Sequence, residues 1–401
     1  MLSLSMDAAS SSSPHADSLA LLGVYLHFPF CTTKCTYCAF VTRGYDAELA
    51  ERYVAALETE LQRFSDACAA VPLAFTTRRA DTLYFGGGTP SRLTPRQLER
   101  LLTACRTVFD FTPDVEVTVE VNPGDATPER LEAYRALGVN RLSLGVQSFF
   151  DSDLALTGRD HDAQDAKRAF RAARQAGFDN INLDLIAGLP GQTLEAWRTN
   201  LVEALALAPE HLSLYLLEVK EQTTLARQLA AGRLPALDDD LTAEMYLTTL
   251  DLLTQAHFEA YEISNFARPG HRARHNLKYW TDSPYAAFGV GAHGYDGVER
   301  YWNSDRLEDY FAQVERRGWA TAGRTQRTLH ERWHEALMLG LRLAEGVSPD
   351  ALWRRYGIDL SAYAAAVSEL QAAGLLEVTS DRWRLTPRGR LLSNEVFLAF
   401  C

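Results

Sequence analysis

Six times in the first 220 residues a short run rich in Val, Ile, Leu and Tyr is followed by a longer helix-like stretch, and this alternation constrains the fold most. The runs are GVYLHF (23–28), TLYFG (82–86), EVTVEV (116–121), RLSLGV (141–146), INLDLI (181–186) and HLSLYLL (211–217). Helix-like stretches lie between them at 46–66, 95–108, 127–137, 163–176 and 193–207. Thr94-Pro95 and Thr127-Pro128 supply an N-cap and a first-turn proline, and Gly138 and Gly177 close helices. The runs have the composition of strands buried on both faces, so six consecutive β/α units predict a parallel sheet. The pattern alone does not separate an open sheet from a barrel.

The remainder divides by composition. Residues 1–20, Ser- and Ala-rich without periodicity, are expected to form a mobile tail, with Met6 a second candidate start. Residues 21–220 hold the β/α units. A stretch over 221–324, rich in Tyr, Trp, His and Gly, is expected to extend and link that domain. From 325 to 401 we expect three helices (327–344, 348–355, 360–373), a hairpin from LLEVTS and WRLT, and a last helix. That order resembles a winged helix and raises DNA binding. The segment carries nine Arg against nine Asp or Glu, and the whole chain is at −12, so a nucleic-acid partner is not expected. No run approaches the roughly 18–20 apolar residues that cross a bilayer, and the start lacks a basic, apolar leader pattern. A cytoplasmic protein is expected.

Three of the six cysteines, Cys31, Cys35 and Cys38, form C-x3-C-x2-C on the loop after the first strand. Three thiolates this close can hold one soft metal centre, and no second ligand pair completes a zinc-finger set. On a four-iron cluster three ligands leave one iron open. Cys68, Cys105 and Cys401 are scattered and expected to be structural or inert. The second strand runs into Gly86-Gly87-Gly88-Thr89-Pro90. That segment reads either as a tight turn or as a place where backbone approaches a ligand closely.

With these segments the chain resembles the radical S-adenosylmethionine superfamily, whose cluster loop has this cysteine spacing with an aromatic before the last Cys, here Tyr37. The resemblance implies a 4Fe-4S cluster on Cys31, Cys35 and Cys38, with S-adenosylmethionine chelating the open iron. It also implies a partial (β/α)6 barrel carrying a C-terminal α+β winged-helix-like domain, its site at the C-terminal strand ends. More narrowly, VYLHFPFC, YFGGGTPS, VEVNPG, RLSLGVQSF, LTGRDH and INLDLIAGLPGQT resemble the branch that holds oxygen-independent coproporphyrinogen III oxidase and the heme chaperones of the HemW type. By motif match Tyr25, Gly87, Gly88, Thr89, Glu120, Gln147, Arg159 and Asp184 would line the S-adenosylmethionine pocket.

Two departures select within the branch. The oxidase carries a further cysteine where this chain has Phe40, and His275-Asn276-Leu277-Lys278-Tyr279-Trp280 matches the HNxxYW motif of the chaperones. Its imidazole can coordinate heme iron, and the alternative is a satisfied core or surface histidine whose aromatic neighbours merely pack. The resemblance therefore implies a heme chaperone that binds heme and passes it to an apo-hemoprotein. No catalytic residue is assigned, and oxidative decarboxylation of coproporphyrinogen III is the alternative. It implies an electron donor for the cluster, and heme-dependent homodimers and contact with a membrane-bound respiratory acceptor are compatible with it. The second axial ligand stays open, with His271 and His293 as candidates. The C-terminal domain is expected to cover the open barrel.

Overall fold

The computed structural model describes residues 21–400 except 359; the expected N-terminal tail and Cys401 lie outside the described residues. The six runs form β1 (Leu22–Phe28), β2 (Arg79–Gly87), β3 (Asp110–Val121), β4 (Arg141–Gln147), β5 (Ile181–Ala187) and β6 (His211–Leu216). Six more strands follow: β7 (Glu259–Ala260), β8 (Asn265–Ala267), β9 (Tyr285–Phe288), β10 (His293–Tyr295), β11 (Arg300–Asn303) and β12 (Thr321–Arg324). One sheet takes all twelve in the order β12-β11-β10-β9-β1-β2-β3-β4-β5-β6-β8-β7. The order is linear, so the barrel stays open. β9 pairs parallel with β1 and makes a seventh parallel strand beyond the six expected units, while the remaining additions are antiparallel.

The strands are not apolar on both faces. Leu22, Val24, Leu26 and Phe28 of β1, Leu83 and Phe85 of β2, Val117, Val119 and Val121 of β3, and their counterparts on β4–β6 pack into the main core. The alternate residues are polar, and they bond to one another across the concave side: Thr82 to His275, Tyr84 to Glu120, Ser143 to Asp184, and Asn182 to His211. Alternation with period two is what one apolar and one polar face require. The barrel therefore encloses a polar lumen.

Helices cover the outer face. Pro95–Val108 starts with a capping box in which Thr94 and Gln97 satisfy each other's backbone N–H, and Thr127 caps Pro128–Ala136. Gly138 (φ +99°) and Gly177 (φ +86°) follow helix ends in the left-handed region. The expected helix over 46–66 is two, Ala47–Gln62 and Phe64–Ala70, meeting at Arg63.

The C-terminal residues build a second core around Trp333, Leu337, Val347, Leu370, Trp383 and Phe397. It holds helices Leu329–Leu341, Pro349–Tyr356 and Ala364–Ala372, the hairpin Leu376–Val378/Trp383–Leu385, and two short helices where one was expected. This domain does not cover the cysteine loop, which corrects that expectation. The Tyr356 hydroxyl donates to Asp282 (2.8 Å), the Ala344 N–H donates to the Tyr261 carbonyl (2.9 Å), and Arg342 lies 4.5 Å from the Trp280 ring centre. These partners sit toward the N-terminal ends of the parallel strands, where a buried contact surface was available.

Candidate functional site

The C-terminal ends of β1 and β2 bring the cysteine loop and the glycine turn together. The Gly88 N–H donates to the Phe28 carbonyl (2.8 Å). A Cβ at Gly88 would stand 2.6 Å from the Pro29 carbonyl carbon and 3.0 Å from the Cys31 sulfur; at Gly87 (φ +118°) it would stand 2.5 Å from the His27 ring. Only glycine lets the turn lie this close to the loop. The loop is tied down on its far side: Thr36 donates its N–H to the Thr157 carbonyl and its carbonyl accepts from Leu225.

Cys31, Cys35 and Cys38 are unpaired and half-buried. Arg159 donates to the Cys35 sulfur (3.3 Å), to the Gly145 carbonyl (2.9 Å) and to Asn122, so a guanidinium is fixed beside the thiols. Burial raises the thiol pKa values of Cys31 and Cys38, opposed in part by Thr89 at Cys31 and the Phe40 backbone at Cys38. Among the described residues no three His, Cys, Asp or Glu side chains converge on a single-ion position. A polynuclear cluster asks for something else, one thiolate per iron corner, and three thiols on one pinned loop can supply that. The glycine cradle and the thiol set thus fit a cluster with a ligand beside it.

Around this mouth Tyr25 and His27 share a hydrogen bond (3.1 Å), and His27 reaches the Val41 carbonyl (3.0 Å). Glu120 accepts from the Tyr84 hydroxyl (2.8 Å) and from the Gly87 N–H (3.0 Å), so its carboxylate braces the glycine turn. Burial pushes its pKa up to about 7. Asp184 accepts from Asn182 (2.7 Å) and Ser143 (3.1 Å), and burial raises it too. Gln147, at the end of β4, holds φ +68°, a strained setting for a non-glycine residue at a strand end. Tyr37 is half-buried next to Cys35 and Arg159. Tyr25, Tyr37, Gly87, Gly88, Thr89, Glu120, Gln147, Arg159 and Asp184 therefore gather at or just inside one mouth. Sequence reasoning missed His27, Tyr84 and Asn122, and the period-two polar face of the strands was the signal that could have found the first two.

His275 lies elsewhere. It sits on the helix Arg274–Trp280 at the opposite end of β1 and β2, 1% exposed. Its Nδ1 bonds to the Thr82 hydroxyl (2.8 Å), its Nε2 to the Tyr279 hydroxyl (3.0 Å), and its backbone N–H donates to Glu116 (3.0 Å). Burial, then the charges of Lys278 and Arg141, lower its pKa to about 3. Its ring stacks on Tyr84, centroids 5.1 Å apart, and Tyr84 on Tyr25 at 6.1 Å, so aromatic rings link the two ends of the lumen. With both nitrogens bonded and no exposed edge, His275 does not fit a heme-iron ligand in this conformation. Of the other candidates for heme iron, His271 is half-buried and His293 stacks on Trp302. Cys105 is buried and Cys68 half-buried.

Residues 25–201 match the model of the Radical SAM superfamily, and residues 328–392 that of the HemN C-terminal domain. The heme chaperone HemW of Bacillus subtilis is 37% identical over 94% of this chain and 98% of its own length. That of Mycobacterium tuberculosis is 38% identical, covering 93% of each. Bos taurus radical S-adenosyl methionine domain-containing protein 1, mitochondrial, is 35% identical over 94% of this chain and 86% of its own. Among solved structures, the Escherichia coli coproporphyrinogen III oxidase HemN, a radical SAM enzyme, superposes with a TM-score of 0.83 at 26% identity, covering 95% of this chain and 90% of that one.

Proposed function

Since the chain belongs to the heme chaperone HemW family of the radical S-adenosylmethionine superfamily, we propose that it binds heme and hands it to an apo-hemoprotein, with a 4Fe-4S cluster and S-adenosylmethionine held at the mouth formed by β1 and β2. The observation that carries the reading is near full-length likeness to heme chaperones combined with Phe40, 69% exposed, at the position where the oxidase branch has a further cysteine.

Cys31, Cys35 and Cys38 would hold the cluster, each as a thiolate, so loading releases protons, and burial opposes that release at Cys31 and Cys38. Held there, a cluster would supply one-electron chemistry to S-adenosylmethionine, and the proposal includes an external donor to re-reduce it. Gly87, Gly88 and Thr89 would offer close backbone and hydroxyl contact to the methionyl group, with Tyr25 and Tyr37 walling the mouth. Glu120 would face a cationic amine while holding the Gly87 N–H, and Gln147 and Asp184 would take polar contacts deeper in the lumen. Arg159 would balance the negative charge of the ligated thiolates, because its guanidinium already touches Cys35. For His275 the ligand role is conditional: the helix Arg274–Trp280 would have to leave the barrel, breaking the bond to Thr82, or the ring would have to release Tyr279 on its own helix. A heme-dependent homodimer and contact with a membrane-bound acceptor belong to the same proposal. No helix among the described residues is long and apolar enough to cross a membrane.

The second reading, oxidative decarboxylation of coproporphyrinogen III, is favoured by the fold likeness to the E. coli oxidase. Product analysis under anaerobic, reducing conditions with S-adenosylmethionine separates the two. The chaperone reading expects cofactor cleavage without protoporphyrinogen IX; sustained protoporphyrinogen formation would establish the enzyme instead.

A further inference from the structure

The helix Leu329–Leu341 has two working faces. One packs against the HNxxYW helix: Glu335 takes Arg300, Arg300 donates to the Tyr285 hydroxyl (2.8 Å), and the Tyr285 ring lies 4.8 Å from Tyr279. The other carries His330, His334 and Met338 at intervals of four residues, which places them along one stripe. The two imidazole centroids are 4.3 Å apart. His330 is exposed, His334 half-buried and Met338 38% exposed. Beside the stripe runs a groove of about 280 Å³, lined by His334, the ion pair Arg327–Glu335, the exposed Met338 and, at its floor, the buried Leu337, Leu341, Phe397 and Phe400. Trp333 and Tyr363 back the imidazoles, with the Tyr363 hydroxyl 2.9 Å from His334 Nε2 and the Trp333 ring 4.7 Å from the His334 ring.

An apolar slot with neighbouring imidazoles at its rim matches one ligand chemistry better than others. A bare transition-metal ion wants three or four donors and gains nothing from apolar walls, and no third His, Cys, Asp or Glu converges there among the described residues. A flat apolar macrocycle carrying an iron needs one imidazole and a wall for its edge. The groove is smaller than the roughly 300–1,000 Å³ of sites that enclose drug-sized ligands. It can seat an edge and leave the rest of a macrocycle outside, which suits a cargo that must be given up.

We propose that the groove on the C-terminal domain is a heme landing site, in which an imidazole of the His330–His334 pair ligates the iron and the exposed Met338 holds the porphyrin edge over the buried Leu337 and Phe400. This rests on the heme-chaperone reading and adds where the heme docks while His275 is locked inside the barrel. It also places the docked heme on the helix that touches the HNxxYW segment.

The test is a hemin titration of the cluster-reconstituted full-length protein, followed at the Soret band and by quenching of tryptophan fluorescence. The wild type is compared with His330→Ala/His334→Ala and with Met338→Glu, which puts a charge on the groove rim without touching either core. The proposal expects the double variant to bind at least tenfold more weakly with a shifted Soret band. Met338→Glu should bind about fivefold or more weakly with the ligation spectrum retained. Saturable wild-type binding that both variants reproduce in affinity and spectrum would overturn the landing site and leave the chaperone reading standing. Wild-type binding that never saturates would overturn both.

Discussion

At the residue scale the cofactor mouth was readable because its chemistry demands rare residue types at fixed spacing. Three cysteines in eight residues, and glycines where a strand must approach a loop, have few other uses. Gly88 makes the point quantitatively. A methyl there would have to share space with the Pro29 carbonyl and the Cys31 sulfur. Gly88→Ala should therefore cost most of the brown chromophore on anaerobic reconstitution, read as absorbance near 400 nm per protein, while the apo-protein folds. A chromophore yield equal to wild type would mean that the turn is not part of the cradle. The burial of His275 was not legible in the same way, since a motif match says nothing about burial. The residues that bury it, Thr82 and Glu116, lie some 160 to 190 positions away. His275→Ala removes two ring hydrogen bonds and leaves the Thr82 hydroxyl short of a partner in the lumen. We expect a loss of about 2–3 kcal/mol in apo-protein stability, measured by denaturant unfolding without heme. An unaltered midpoint would show that the imidazole is not a structural part of the barrel.

At the element scale the strands and most helix ends followed from caps and periodicity, down to Thr94 and Thr127. What stayed hidden was pairing beyond the β/α units. β9 is four residues long, and its sequence YAAF has no alternation to mark it; only its parallel register against Gly23–Leu26 makes it a strand. Its anchoring lies in Glu60, buried on the helix Ala47–Gln62. Glu60 accepts from the Gly289 N–H (2.9 Å), the Tyr310 hydroxyl (2.9 Å) and Asn303 (2.6 Å), tying the helix to the turn after β9, to β11 and to the helix Leu307–Arg317. Burial raises this carboxyl from 4.5 to about 7. Between those values the native state keeps a proton that the unfolded chain has released, so stability falls as pH rises through the window. Glu60→Gln should flatten that dependence, with thermal midpoints at pH 5 and pH 7.5 closer together than in the wild type. An undiminished slope would assign it to other groups, such as Glu120.

At the scale of the whole molecule, the C-terminal body and the cysteine loop occupy opposite ends of the barrel. The expected winged-helix-like elements were legible from helix and hairpin signals. Their docking was not, because it depends on single contacts such as Tyr356 and Arg355 to Asp282, and Arg342 over Trp280. A domain docked there should not control access to the cluster. Asp282→Ala is expected to make the C-terminal domain easier to release by limited proteolysis, while the half-life of the reconstituted cluster in air stays within about twofold of wild type. A cluster that bleaches many times faster would restore the idea of a cover.

The function proposed for the molecule is heme custody. It is tested most directly by loading the cluster-reconstituted protein with one equivalent of hemin, adding a purified apo-hemoprotein, and following the acceptor's own Soret spectrum against a free-hemin control at limiting concentration. Saturable loading and stoichiometric transfer to the acceptor are expected, with an excess of a heme scavenger unable to intercept the cargo. Loading that never saturates, or transfer no different from that of free hemin and fully intercepted by the scavenger, would contradict it.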